Sequence, residues 1–458
     1  MPLSYKSIEL RNSKFRVLTD NNNHYQGMKD SKQILMWFQK QIIQIRTGGL
    51  RVLKKKTLKS IIVVLEIILY SCNMVWALPC ALLIRLVSPI WKIKMGYVDS
   101  ARIGHFVGDS ALYLHIIRSE ENLKRTTYIF YMSDKVSNLH WAKMVRRNLF
   151  VAAWVRYLIF CNRLLPNHTQ YYLPHPSTTG FGQFTVLGNS KANFGFLPEE
   201  EKVAKAWMRR RGWADGEPFV CLHVRDSSYL THSPLHGGDW FYHNYRDSDI
   251  DSYTESVKYL VKQGHWVVRM GKIQHKPFTY SNKKLIDFAF SDDKNDLVDT
   301  WLSTNCRFYI STASGPVTLA AVYKVPMVFV NALPILNSFM WRDRIWVPKH
   351  LIWQESGKPF TLKDYYLHDY TIMGDYNAMK ISVRDLSHCE ILAAVQECEE
   401  RISGNFIEDE ADMSLQKLFW DVTRASPKFL EAYSSTGIHP NARAGSAWLR
   451  SQSELFFE

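Results

Sequence analysis

The apolar positions of this chain fall into two regimes that meet near residue 92. Before that point they crowd together. Over residues 29–59, Trp37, Phe38, Ile42, Ile43 and Ile45 are interleaved with Lys40, Arg46 and Arg51, the mixture expected of an amphipathic surface helix. A long apolar run, residues 61–90, follows Lys54-Lys55-Lys56 and Lys59, and its interior, residues 67–84, carries no charge. A membrane-spanning helix needs roughly 20 apolar residues, so the run is long enough to be one. Pro79 interrupts it, Glu66 and Arg85 flank it, and cations lie on both sides. That pattern also fits a re-entrant hairpin broken near Pro79 with both ends cytosolic, or a helical hairpin buried on the body.

After residue 92, short apolar runs alternate with helical periodicities. Strands are predicted at residues 92–98 and 127–132, with a helix at 105–118 between them, helical structure over 138–160, a loop over 167–190 and a charged helix at 199–211. A linker at 212–218 precedes a cleaner series. Strands are expected at 219–224, 265–269, 285–290, 307–310 and 327–330, with helices at 252–263, 296–305 and 317–323. Strands alternating with helices imply a doubly wound parallel sheet, and two such series imply two Rossmann-like lobes. The expected division is a membrane-associating segment 1–95, an N-terminal lobe 96–212, a C-terminal lobe 213–345 and a helical or irregular extension 346–458 that packs back on the lobes.

Charge changes the picture. The formal net charge is +14, which by itself invites a nucleic-acid partner. Residues 1–59 hold thirteen Lys/Arg against three Asp/Glu, and residues 60–95 hold Arg85, Lys92 and Lys94 against Glu66. The body is therefore nearly neutral. Basicity beside an apolar run points to anionic lipid through residues 29–90, not to DNA or RNA. The first 23 residues are polar and do not read as a signal peptide. Seven cysteines without a CxxC pair suggest reduced core thiols and a cytosolic body.

Ligands of open α/β sheets bind outside the carboxyl ends of the strands, and several motifs fall there or at neighbouring loops. Ser311-Thr312-Ala313-Ser314-Gly315-Pro316 ends one strand and opens a helix, with Ser314 as the expected cap and Gly315 allowing close backbone approach. Such a turn can hold a diphosphate or be an ordinary capped helix. Arg225, in Leu222-His223-Val224-Arg225-Asp226, can bind phosphate bidentately or pair with Asp226. Arg246, and Arg269 followed by Gly271, occupy similar strand-end or loop positions, and the three arginines together would neutralise a nucleotide diphosphate without a metal. Asp247-Ser248-Asp249 raises a divalent-cation alternative, for which Asp249 or Asp251 as a helix cap is the simpler account. In the first lobe, Arg102, Gly104, His105 and Asp109 sit between strand and helix. His105 and Asp109 are four apart and share a helix face, so the carboxylate can orient the imidazole as a general base, or His105 can merely cap. Asp296 and Asp299 read as helix-start charges. Pro234 spoils the spacing of His232 and His236 for a metal.

Taken in order, Arg102–His105, the run 222–229, Tyr245-Arg246-Asp247, Arg269-Met270-Gly271 and Ser314-Gly315 resemble a family of bacterial glycosyltransferases tied to surface-polysaccharide gene clusters. The resemblance extends from about residue 75 to the C-terminus, including segments 399–404 and 442–457. A looser likeness is to fucosyltransferases of the two-lobed fold, whose His-x-Arg run is matched at Arg225; here Asp226 stands where a second basic residue often occurs. The resemblance implies a GT-B-like fold and sugar transfer, without naming donor or acceptor. Joined to the strand-end arginines and the basic, apolar N-terminal segment, the expectation is transfer from a nucleotide-sugar to a lipid-linked or polysaccharide acceptor, at the cytosolic face of the membrane. On this reading Arg225, Arg246, Arg269, Gly271, Ser311, Ser314 and Gly315 bind the donor. His105 and Asp109 activate the acceptor, Arg102 and Gly104 hold it, and neither a metal nor another cofactor is needed. The alternatives are a non-catalytic membrane-associated glycan-binding or scaffold protein, and a sugar-phosphate or glycerol-phosphate transferase.

Overall fold

The computed structural model describes residues 31–119, 125–173, 194–232, 241–312, 314–338, 344–368, 376–433 and 442–457. The polar opening 1–23, most of the 167–190 loop, Pro234 and His236 lie outside the described residues. Contacts divide the chain into two compact units. One comprises residues 1–93 and 154–172, the other 94–153 and 173–458.

Helix α1 (Ser31–Val87) turns at Gly49, whose φ of +56° is open to a residue without Cβ. It then runs on through Pro79, so the break that the re-entrant reading places there is absent; a mid-helix proline removes one hydrogen bond and need not end the helix. Its part Val52–Val87 is 36 residues long, holds an 18-residue window of mean hydropathy 2.1, and is long and apolar enough to cross a membrane.

Strand β1 (Lys92–Val98), helix α2 (Ile103–Ser119) and strand β2 (Thr126–Met132) form the first α/β half of the second unit. The β1 and β2 spans match the pattern reading to within one residue. Phe130 of β2 bridges Val151 in parallel, and Leu173 N donates to Met95 O at 3.0 Å, so the small sheet is extended on both sides. Helix α3 (Leu139–Asn148) starts on an Asn138 cap that accepts from Trp141 N at 2.7 Å. Helix α4 (Val155–Arg163) belongs to the first unit, and α5 (Pro198–Arg209) returns the chain to the second.

The second half is built on strands β3 (Phe219–His223), β4 (Trp266–Arg269), β5 (Leu285–Asp287), β6 (Tyr309–Ser311), β7 (Met327–Phe329) and β8 (Arg344–Trp346). Between them lie α6 (Ser228–His232), α7 (Thr254–Lys262), α8 (Asp296–Asn305) and α9 (Val317–Val322). The C-terminal part adds a β9–β10 antiparallel pair (His350–Trp353 and Ile381–Arg384), α10 (Leu362–Leu367), α11 (His388–Ser403), α12 (Glu410–Ala425), α13 (Pro427–Tyr433), β11 (Ala442–Ala444) and α14 (Ser446–Arg450). The seven-stranded sheet has the order β11-β8-β7-β6-β3-β4-β5, and each of its strand pairs is parallel. Strands β3, β4, β6 and β7 are wholly buried, which is why they read as apolar runs up to their carboxyl ends. The architecture is thus α/β with a doubly wound parallel sheet and an N-terminal apolar helical segment.

The C-terminal stretch does more than pack against the sheet: β11 supplies its edge strand. Helix α11 is fixed from beneath by Glu399, which takes Arg307 Nε and Nη2 at 2.9 and 2.8 Å and faces His265 at 3.3 Å. The two halves also join through hydrogen bonds. Asn138 Nδ2 donates to Thr300 Oγ1 at 3.2 Å, and Leu139 N to Asp296 Oδ2 at 2.6 Å.

Candidate functional site

The strand order reverses direction between β3 and β6. From β3 the chain winds outward one way to β4 and β5, then crosses to β6, β7 and β8. Such a switch point leaves a crevice at the carboxyl ends of the two central strands, because their outgoing loops diverge to opposite faces. His223 and Arg225 leave β3 there, and Ser311, Thr312, Ser314 and Gly315 leave β6.

Hydrogen bonds tie the two exits together. Thr312 N donates to His223 O at 3.3 Å, and Arg225 N donates to Thr312 Oγ1 at 3.0 Å. Ser314 Oγ lies 3.0 Å from His223 Nδ1 and 3.3 Å from Ser311 Oγ, and Ser311 Oγ donates to Thr312 O at 2.6 Å. Ser314 therefore does not cap α9, as the pattern suggested. The buried imidazole is a closer partner, and α9 starts instead on Pro316. Burial pushes His223 down to about 4, with Asp226 opposing and Arg269 and Arg225 reinforcing the shift, so at pH 7 it is a neutral donor and acceptor.

Arg225 is 8% exposed and ion-paired with Asp247. Burial, and Arg246 nearby, lower it to about 10. Burial raises Asp247 to about 6, against the attraction of Arg225. Behind this pair runs a part-buried polar chain. Ser248 N donates to Arg225 O at 3.0 Å, and Ser248 Oγ donates to Asp385 Oδ2 at 2.8 Å and accepts from Asn331 Nδ2 at 2.9 Å. Lys349, 3% exposed, bridges Asp247 O (2.5 Å) and Asp385 Oδ1 (2.6 Å). Asp226 accepts from Ser228 N and His275 N, so it shapes the loop. Asp249 caps a short 3-10 turn by accepting from Asp251 N at 3.1 Å, and Asp251 holds Lys276 and Thr279. His232 contacts its own helix, with Nδ1 3.0 Å from Ser228 O.

Arg269 is placed differently from the expectation. It is 1% exposed, donates to Asp287 Oδ2 at 3.0 Å and lies 5.3 Å over the Phe290 ring. The parallel register sets Asp287 of β5 beside Arg269, so a cross-strand acid takes the guanidinium inward. Gly271 follows with φ +156°, a conformation that side chains rarely adopt.

The first half reaches the same crevice. A Cβ on Gly104 would lie 3.1 Å from Gly315 Cα, and one on Gly315 would lie 3.2 Å from Gly104 N. Both glycines are thus explained by close approach to each other, not only to a ligand. This contact brings the turn carrying Arg102 and His105 onto the Ser314–Gly315 turn. Asp109, one helical turn further along, is fully buried. Burial and Asp99 hold its carboxyl well above the usual range, with Arg102 opposing. An anion at Asp109 to stabilise a protonated His105 is therefore disfavoured. Asp296 and Asp299 stand in the first turn of α8, as helix-start charges do, and burial and Asp296 raise Asp299 to about 7.

The pattern singled out neither His223, Thr312, Asn331 nor Lys349. His223 stood inside a quoted run as a strand residue. Asn331, with φ +53°, and Lys349 gain their meaning only from Ser248, Asp247 and Asp385, which lie more than fifty positions away in two of the three contacts.

No protein-family model matches the chain, and no curated protein matches it in sequence. Among solved structures it is similar to a glycosyl transferase family 9 protein from Veillonella parvula DSM 2008, at 10% identity and TM-score 0.39, over 67% of this chain and 97% of that one. It is also similar to E. coli ADP-heptose lps heptosyltransferase II, at 10% identity and TM-score 0.31, over 52% and 84%. A third is the iron-containing dodecameric glycosyltransferase TibC from enterotoxigenic E. coli H10407, at 11% identity and TM-score 0.35, over 69% and 80%. These likenesses concern coarse architecture and leave the function to be argued from the site.

Proposed function

We propose that the protein transfers a sugar from a nucleotide-sugar to a lipid-linked or polysaccharide acceptor at the cytosolic membrane face. The observation that carries this reading is the switch point between β3 and β6. A buried arginine, Arg225, leaves one central strand, and a Ser-Thr-Ala-Ser-Gly turn leaves the other. Arg225 with Arg246, and the Ser311, Ser314 and Gly315 turn, would receive the donor diphosphate; their charge compensates it without a divalent cation. His223, held neutral, offers a hydrogen bond beside them. The acceptor oxygen would attack the anomeric carbon as the bond to the diphosphate breaks, and His105, on the turn beside Gly315, would take the acceptor proton. Arg102 and Gly104 would border the acceptor. The basic and apolar N-terminal segment supports a membrane location for that acceptor.

Isothermal titration of the full-length protein with UDP-, GDP-, CDP- and dTDP-sugars tests the reading. One nucleotide should bind, and Arg225→Ala should abolish its binding. Absence of binding across the panel, or normal binding by the variant, overturns it. A product that retains a phosphate would assign the site to phosphosugar transfer instead.

A further inference from the structure

The uncharged stretch of α1 is not exposed all round. Helix α4 clasps it from Tyr70 to Arg85. Tyr70 meets the rings of Tyr157 and Phe160 at 5.0 Å, and Trp76 meets Trp154 and Tyr157 at 6.3 Å. Ala77, Ala81 and Ile84 are buried along one face, where small side chains let a helix approach closely. Arg85 closes the seam. Its guanidinium donates to Asn162 Oδ1 at 2.7 Å and to Pro166 O at 2.6 Å, and stacks 4.8 Å over Tyr171.

The clasp limits how α1 can meet a bilayer. A crossing by residues 67–84 would therefore carry α4 into hydrocarbon, with Arg156, Asn162 and Arg163. Upstream of the clasp, residues 52–69 contain Lys54, Lys55, Lys56, Lys59 and Glu66, too many charges for a span of that length.

The other face of α1 is a different surface. At about 100° per residue, Ile61, Val64, Leu65, Ile68, Cys72, Val75, Leu82, Leu83 and Leu86 form one stripe. It is open to solvent: Val75 is 79% and Leu86 76% exposed. Glu66, Asn73 and the clasped alanines fall on the opposite side. The stripe continues past the helix end into Ile90 and Trp91, both exposed, and cations lie at each end in Lys54, Lys56, Lys92 and Lys94.

We propose that α1 and α4 form a monotopic anchor. The stripe lies in the plane of an anionic leaflet, half-immersed, with α4 on its water-facing side, and the chain does not cross the bilayer. This rests on the membrane association proposed above and specifies its mode. The occupant is the acyl and headgroup region of an anionic bilayer: the face is apolar throughout, and its flanks are cationic.

The test uses full-length protein carrying Gln44→Cys, sealed vesicles of phosphatidylcholine with phosphatidylglycerol, and a membrane-impermeant maleimide read out by peptide mass. Cys389, exposed in the second unit, and Cys72, exposed on the stripe, serve as internal reporters. Positions 44 and 389 should label from the same, outer side. Labelling at Cys72 should fall about tenfold or more when vesicles are added, while Cys389 is unchanged. Val75→Asp with Leu86→Asp touches only exposed positions and should reduce vesicle flotation about tenfold or more without shifting the thermal transition. Labelling of 44 and 389 from opposite sides would establish a span and overturn the proposal. So would Cys72 that stays reactive on vesicles, or Cys72 already protected without lipid in a dimer seen by sedimentation. Neither assay reads nucleotide binding, so failure of the transferase reading and failure of the anchor are separate results.

Discussion

Asp247 is a carboxyl that the fold holds at a cost, and that cost can be measured. Its pKa is raised from 3.8 to about 6 because burial outweighs the attraction of Arg225. The side chain is 22% exposed, so little bulk water screens it. A raised carboxyl favours folding fully below the unfolded value and loses that contribution as pH rises from about 4 to about 6. At roughly 1.4 kcal/mol per pH unit, ionised Asp247 costs the folded state at most about 3 kcal/mol at pH 7 and about 1 kcal/mol at pH 4.5. Asparagine keeps the shape and mimics the neutral acid. Asp247→Asn should therefore be more stable than wild type at pH 7, with the gain shrinking to about a third at pH 4.5. Residues that lower stability at a site are retained for function, so the same variant should lose transferase turnover while still binding nucleotide. Parallel urea titrations of full-length wild type and variant at the two pH values provide the check. A variant less stable than wild type at pH 7 would show that the ion pair with Arg225 outweighs burial and would refute the reasoning.

Other outcomes follow from the same contacts. Thr312→Val removes the acceptor for Arg225 N inside a fully buried site and should cost about 1–3 kcal/mol in urea unfolding, with weaker nucleotide binding. Gly315→Ala places a methyl 3.2–3.3 Å from Gly104 N and Ile103 Cγ2, so helix α2 must shift by a few tenths of an ångström; a loss of about 1–3 kcal/mol in unfolding free energy is expected. Arg307→Ala leaves Glu399 buried with only His265 and Ser403 as partners and should destabilise by about 3–5 kcal/mol, detectable as a lowered melting temperature with nucleotide affinity unchanged in the folded fraction.

Much of the fold was legible because its signals are local. The charge-free stretch 67–84 and the buried runs of β3, β4, β6 and β7 announce themselves by composition, since a strand covered on both faces is apolar along most of its length. Helix α8 was read at its true ends, Asp296 and Asn305, because Asn295 caps the start by accepting from Val298 N at 3.0 Å. The backbone placement of Arg225 and of the Ser311–Gly315 turn followed from strand-then-helix alternation alone.

The sequence by itself determined a parallel α/β body, a basic and apolar N-terminal segment, and which residues leave the strands at their carboxyl ends. Tertiary structure decided what those residues touch. Register put Asp287 beside Arg269 and drew it into the core, while Arg225 stayed at the crevice with Asp247. Packing set Gly104 against Gly315, buried Asp109 and turned Ser314 from a cap into a partner of His223. It also laid α4 over one face of α1 and left the other bare. Periodicity encodes which side of an element is apolar. It does not encode which partner, dozens or hundreds of positions away, arrives on that side, and at a buried polar site the partner sets both charge state and chemistry.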